Sequence, residues 1–483
     1  MKRRRGMSMS TFSKNVRVMR LLVACVLSLL MVAPASVVWA SSMPQLPKDA
    51  AIYLIDNQTG DVIASQRADE KMYPASLTKM MTALVAMDYV GDKLDEKVSV
   101  GDEVKLTPED STIMGCHSGD VYSWRDLIYG MMLPSGSDAA LVLGTHVGRL
   151  SANDSKLDPK DALAKFIALM NEKAKTMGLT GTHFNNVHGF HDKNHYSCAH
   201  DLTSIAQAVL ANKFLSEVVS TQSHECVNKE DANVTVYNTN WLVDKTAGKI
   251  EKNALVDAGE TGVDNPYYKA ECQGVKTGYT EEAGRCLAFA GKNKKMSFVG
   301  VVLHLSDKPT IYKTTGAALE SALNEYERRR WGTDVLPYTV TISNPSLQDF
   351  LNHNIKLRVR RRDTPKTVTI DATLKYETKI AWDKKYVKEG SEDTCELQSA
   401  IKSGSQIATM QVFCEGKLIS ETPLYVDQTM MPFSNEDKLV LAGVATGSVL
   451  LIMLIIAGIR MIVKRNKHDE SQSPKEADDL AKQ

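Results

Sequence analysis

The sequence predicts an α+β domain, followed by a small all-β sandwich and one membrane-crossing helix. Three observations carry that expectation. Helix-forming segments lie between an early hairpin and two late apolar strands, so an antiparallel sheet built from distant segments should carry helices packed on it. From Tyr338 to Val426 apolar and polar residues alternate without a long helical run, the pattern of half-buried strands. Leu439 to Ile459 is an uncharged run of about 21 residues, long enough for a hydrocarbon core of ~30 Å.

The elements follow in order. Basic residues from Lys2 to Arg20, an apolar stretch Leu21–Ala33, and small residues Val38 and Ala40 before Ser41 are the parts of a secretory signal peptide over 1–40. Residues 50–55 and 62–66 read as strands joined by the turn chemistry Asp56-Asn57-Gln58-Thr59-Gly60. Helices are expected from Ser76 to Met87, from the capping pattern Ser123-Trp124-Arg125-Asp126 through Met132, after Ser135, and over 160–177. Two strands flank the polar turn 292–295, and 312–331 reads as one closing helix. The α+β domain then spans 41–333 and the sandwich 338–428. The membrane helix takes 439–463 and a tail 464–483. Arg460, Lys464, Arg465 and Lys467 follow the span and Glu436 and Asp437 precede it, which puts the tail in the cytoplasm and the bulk of the chain outside.

Composition excludes more than it assigns. With 43% hydrophobic and 24% charged residues among 483, the chain is an ordinary globular protein rather than a disordered or collagen-like one. Zero formal net charge gives no support for a nucleic-acid partner. Beyond residue 40 there are seven cysteines, an odd number, and Cys395 and Cys414 are natural partners in the C-terminal region. No Cys-x-x-Cys spacing supports a metal or cluster site.

Three short motifs carry chemistry. Ser76 and Lys79 are three apart, which on a helix puts hydroxyl and amine on one face. A hydroxyl needs a neighbouring base, and an amine is a base only when neutral, as burial or a nearby cation makes it. Ser135-Gly136-Ser137 follows Pro134 in a loop, where Ser135 is placed to relay a proton and Ser137 to hydrogen-bond a substrate amide. Lys276-Thr277-Gly278 ends a strand. Its lysine and threonine suit a carboxylate, and its glycine leaves room for a peptide alongside. The N–H groups of Ser76 and Tyr279 are candidates for an oxyanion site. Each motif alone has a plainer reading: a solvated helix pair, a turn capping the next helix, an edge strand with a solvated lysine.

Together, and in this order, they are the signature set of one superfamily. With the strings YPASLTKMMTAL, LIYGMMLPSGSDAAL, GTHFNNVHGFHDKNHYSCAHDLTSIA and VKTGYTEEAGRCLA, the chain resembles the low-molecular-weight penicillin-binding proteins, specifically serine D-alanyl-D-alanine carboxypeptidases, over roughly residues 43–332. The resemblance implies a β-lactamase/DD-peptidase-like fold. It implies Ser76 as nucleophile, Lys79 as base and Ser135 as relay, with Ser137, Lys276, Thr277 and Gly278 on substrate. It also implies peptidoglycan stem peptides as substrate, β-lactams as inhibitors, no cofactor or metal, and a place at the bacterial cell membrane on the extracytoplasmic side.

Two departures stand out: Ser137 occupies a position where the family usually has Asn, and no arginine for the substrate carboxylate can be placed, with His304 to Lys308 filling that neighbourhood. Three alternatives stay open. The first is a catalytically weak or silent stem-peptide binder. The second is a β-lactamase, against which no Glu-x-x-Leu-Asn string occurs between 138 and 275. The third is a metallopeptidase using His188, His191 and His195.

Overall fold

The computed structural model describes residues 43–228, 233–245, 265–331, 336–390 and 393–470; the expected signal peptide lies outside them. The chain divides into two compact units: residues up to Arg329 with Thr367–Leu374, and Arg330–Lys366 with everything from Lys375 onward.

The first unit runs β1 (Ala51–Asp56), β2 (Val62–Gln66), α1 (Thr78–Val90), β3 (Lys97–Ser99), β4 (Val121–Ser123), α2 (Trp124–Met132), α3 (Ser137–Ala152), α4 (Pro159–Thr176), α5 (Ala199–Ala211), α6 (Lys213–Ser220), β5 (Ser223–Cys226), β6 (Val234–Tyr237), β7 (Cys272–Thr280), β8 (Gly284–Lys292), β9 (Ser297–Leu305), α7 (Lys308–Glu325) and β10 (Tyr326–Arg330). Its main sheet has the order β2-β1-β9-β8-β7, with every pairing antiparallel. Alternation along the strands divides the interior in two. Ala51, Ile55, Ala288, Ala290, Val299 and Val301 join the core that includes α1, α2 and α3. Ile52, Leu54, Leu287, Phe289, Phe298 and Val302 join a second core with α7. β7 stands at the sheet edge, one side of its backbone open.

Helix α1 is apolar nearly all round and correspondingly buried, from Thr78 to Ala86 without a break. The capping pattern at 123–126 forms as expected: Ser123 Oγ accepts the Asp126 N–H at 3.0 Å and donates to its carboxylate at 2.7 Å. One expectation fails. The helix predicted for 312–331 stops at Glu325, and Tyr326–Arg330 is a strand paired with β13 (Thr367–Asp371). The run Glu-Arg-Arg-Arg suits a helix by propensity, but tertiary contacts override it. Arg328 Nε and Nη2 each reach the buried Asp56 carboxylate at 2.7 Å, and Thr369 Oγ1 donates to the same group at 2.7 Å. Thr367–Leu374, which patterning assigned to the β-rich domain, therefore counts with the first unit.

The second unit holds β11 (Tyr338–Ile342), α8 (Leu347–Leu351), β12 (Lys356–Arg360), β14 (Tyr376–Trp382), β15 (Val387–Glu389), β16 (Thr394–Leu397), β17 (Gln406–Cys414), β18 (Lys417–Val426) and α9 (Asn435–Glu470). Seven strands follow one continuous order, β14-β17-β18-β12-β11-β16-β15, in which β11 and β16 are parallel. They enclose a single apolar core around Leu357, Val359, Ile407, Met410 and Leu424. Cys395 and Cys414 are free and buried, on strands separated in the sheet by β18, β12 and β11, so the pairing expected from their sequence positions is not formed. Helix α9 carries the uncharged run and is long and apolar enough to cross a membrane.

Candidate active site

The nucleophile candidate sits on a tight elbow. Residues 75–77 form a short 3-10 turn feeding straight into α1, and Ala75 has φ +48°, a conformation costly for a residue with a Cβ. Neighbours hold it there. Thr78 Oγ1 donates to Ala75 O at 2.8 Å and is itself 2.7 Å from His195 Nε2. His195 Nδ1 accepts the Asn185 N–H at 3.0 Å, which leaves Nε2 to carry the proton toward Thr78. Gly189, at φ +87°, passes so close that a Cβ there would overlap Ala75 O at 1.8 Å.

Three distant stretches converge on this elbow. Lys79 Nζ lies 3.1 Å from Ser76 Oγ and 3.3 Å from Ser137 Oγ, and donates to His188 O at 2.8 Å. It is fully buried with no carboxylate among these partners. Burial first, then the nearby Lys276 cation, push its pKa well below the usual lysine range, opposed by Asp138. Lys276 is 1% exposed, and burial pushes its pKa down to about 7. Burying an ammonium that deep is costly, which favours the neutral amine at Lys79.

The second motif is a strained loop fixed from above. Ser135 has φ +69° and its Oγ is buried without a hydrogen-bond partner among the described residues. Thr112 Oγ1 donates to Ser135 O at 2.8 Å, and Ser137 N donates to Thr112 O at 2.8 Å. The Asp138 carboxylate collects the N–H groups of Met114, Gly115 and Cys116, each at 2.8 Å, and so pins the segment over the start of α3.

The third motif lies on β7. A Cβ on Gly278 would stand 3.2 Å from Ser76 N and from Ala75 Cβ, so any larger residue would crowd the elbow and press the strand away from it. Thr277 Oγ1 is 2.7 Å from Thr239 Oγ1, and Thr239 in turn donates its N–H to Leu133 O at 3.1 Å. A cavity of about 720 Å³ opens between these elements, lined by Ser76, Ser135, Ser137, Thr277, Gly278 and Tyr279 among others. Lys276 Nζ is 3.2 Å from Thr277 O, directly behind that wall. Every side chain singled out from the sequence thus lies on or immediately beside one cavity.

Sequence reasoning missed several participants. Arg285 lines the cavity opposite Tyr279 in the β7–β8 register, its guanidinium 3.8 Å over the tyrosine ring and its buried Nε without a partner among the described residues. The signal was available: a turn at Glu281-Glu282-Ala283 sets that register. Lys308, Thr239 and Tyr312 also line the cavity, and Tyr312 OH donates to Thr239 O at 2.7 Å. Two of the three histidines weighed as metal ligands are hydrogen-bonded elsewhere. His188 Nδ1 accepts the Phe190 N–H at 3.1 Å, His195 is committed as above, and His191 faces Glu282 at 3.8 Å. Burial depresses the pKa of His188 to about 3 and of His195 to about 4, so both are neutral parts of the clamp around the elbow. Among the described residues a compact set of ligand types does occur at Asp126, His224 and Cys226, within 4.8 Å of one another. Both Asp126 oxygens there are already taken, by Ser123 at 2.7 Å and His224 at 2.8 Å, and none of the three lines the cavity.

The chain is similar to several known proteins. A family model described as D-alanyl-D-alanine carboxypeptidase matches residues 38–307. The D-alanyl-D-alanine carboxypeptidase DacF of Bacillus subtilis (strain 168) is 25% identical over 383 residues, 78% of this chain and 84% of the relative. A D-alanyl-D-alanine carboxypeptidase of Streptomyces sp. (strain K15) is 30% identical over 275 residues, 54% of this chain and 84% of the relative. In fold, the crystal structure of DacD from Francisella tularensis aligns with a TM-score of 0.57 at 21% identity, covering 82% of this chain and 96% of that one.

Proposed function

The chain belongs to the D-alanyl-D-alanine carboxypeptidase family, and from that premise we propose that Ser76 is its acylated nucleophile and that it trims the terminal D-alanine from peptidoglycan stem peptides. The observation that carries this reading is Lys79 Nζ, fully buried, its pKa pushed down chiefly by burial, and 3.1 Å from Ser76 Oγ. A neutral amine at that distance takes the Ser76 proton as Oγ attacks the carbonyl between the two D-alanines. The new Oγ–C bond forms and the C–N bond to the last residue breaks. The proton reaches the departing amine through Ser135, whose buried hydroxyl has no other protein partner among the described residues. Water then hydrolyses the ester, releasing the shortened peptide and restoring Ser76.

The remaining residues hold charge in place. The carbonyl oxygen, negative in the tetrahedral intermediate, is met by the N–H groups of Ser76 and Tyr279. Thr277 on the cavity wall receives the substrate carboxylate with the Lys276 cation directly behind it, and Arg285 adds a second cation on the wall. The peptide lies along the open edge of β7. Ser137 stands where a longer amide would reach the substrate, and its closeness to Lys79, 3.3 Å, gives it a share in orienting the base. A β-lactam presents a carboxylate and a strained amide to the same groups and acylates Ser76. Helix α9 anchors the protein in the cell membrane with the cavity on the extracytoplasmic side, as the basic residues after the span favour.

Release of D-alanine from a stem-peptide mimic by the purified full chain tests the reading. Release that disappears in Ser76→Ala is expected. Undiminished release by that variant refutes the assignment.

A further inference from the structure

The β-rich unit ends where the chain enters α9, and its surface there is unlike one that faces only water. Helix α8 has no buried residue. Phe350 is 59% exposed, Leu351 66% and Met431 55%. Hydrogen bonds gather these residues beside the start of α9: Leu347 N donates to Asp437 Oδ1 at 3.2 Å, Ser346 N to Met431 O at 2.8 Å, and Met431 N to Asp349 Oδ2 at 3.2 Å. Asp437 belongs to the first turn of α9.

The depth of that turn follows from helix length. About 21 uncharged residues, Leu439 to Ile459, rise ~1.5 Å each and so span ~31 Å. The hydrocarbon core is ~30 Å thick, which leaves no slack for sliding. Its edge falls at Leu439, about half a helical turn from Asp437. A helix tied to Asp437 therefore lies in the interfacial layer, where apolar side chains reach the acyl boundary and polar backbone ends stay hydrated.

We propose that α8, with Met431, is a second membrane contact: a shallow foot inserted in the outer interfacial layer that fixes the tilt of the β-rich unit. The proposal rests on α9 spanning the membrane. Charges near the foot in sequence come to about one negative, with Lys356 and Lys438 against Asp349, Glu436 and Asp437, which gives no net attraction to anionic lipid. Apolar burial holds the foot, and zwitterionic lipid suffices.

The test places single spin labels at Phe350→Cys, Leu418→Cys and Ile452→Cys in the full chain, reconstituted in phosphatidylcholine nanodiscs, with signal from identically treated unmutated protein subtracted. Leu418 is an exposed residue at the far end of β18, a strand run of ~26 Å from Val426, and serves as the water reference. Collision with a water-soluble nickel complex should be at least threefold lower at 350 than at 418, and lowest at 452; Leu351→Cys should repeat the result at 350. Equal collision at 350 and 418, with 452 protected, overturns the foot alone. Collision at 452 as high as at 418 overturns the anchor and the foot with it.

Discussion

The interiors of the two units differ in kind. The first buries Lys79, Lys276, Asp138, Ser135 and Ser137 in and around one cavity, while the buried side chains described for the second are apolar apart from Thr422. Burying polar groups costs stability unless each is paired, and buried lysines cost most. A unit that keeps two of them beside an unpartnered hydroxyl has been shaped by chemistry. A unit whose core is Leu357, Val359, Met410 and Leu424 has been shaped by packing alone. The difference teaches where substitutions should change the reaction and where they should change only stability.

The largest effects belong to the buried pair. Ser76→Ala should lower kcat by roughly 10⁴-fold or more, and Lys79→Ala by roughly 10²–10⁴-fold, without changing the melting temperature enough to account for either. Steady-state kinetics beside thermal unfolding checks both. If Lys79→Ala keeps full activity, the first unit's buried lysine is structural and the contrast between the units collapses.

Lys276 comes next and sharpens the comparison through pH. Its amine must be charged to hold a carboxylate, and its pKa of about 7 means that charge is lost as pH rises through neutrality. kcat/KM should therefore fall above about pH 7, while kcat, measured with the carboxylate in place, holds to higher pH. Lys276→Arg should remove that alkaline limb. Lys276→Ala should cost roughly 10–10²-fold in kcat/KM, the worth of a charged hydrogen bond. By removing the cation that helps depress Lys79, it should also move the acid limb to higher pH. An unshifted acid limb would show that burial alone sets the base.

A smaller effect is expected at Arg285. Partly exposed and stacked on Tyr279, it should contribute about 1 kcal/mol, so Arg285→Ala raises KM about fivefold with kcat nearly constant. Smallest of all for the reaction is Leu357→Ala. It should destabilise the β-rich unit by about 2–5 kcal/mol, yet leave hydrolysis of a soluble peptide within about twofold.

The same contrast explains what could be read from the sequence. Ser76, Lys79, Ser135 and Lys276 stood out because each belongs to a short motif whose residue types have few other uses together. Thr239 and the Asp138 clamp were not legible. Their roles exist only once β7, the 110–116 segment and the elbow meet, and no local spacing records that meeting. The β-rich unit was legible as strands, since alternation is local. The departure of Thr367–Leu374 to the first unit was not, because it depends on Asp56 more than 300 residues earlier. At 326–330 local propensity pointed to helix, and the paired Arg328 decided otherwise.

The central claim, that Ser76 is the residue the buried amine activates, is tested most directly by mass spectrometry of the full chain after reaction with benzylpenicillin and digestion. A penicilloyl adduct on the peptide carrying Ser76, absent in Ser76→Ala and slowed at least tenfold in Lys79→Ala, is the predicted result. An adduct on another residue, or one that survives Ser76→Ala unchanged, contradicts the account.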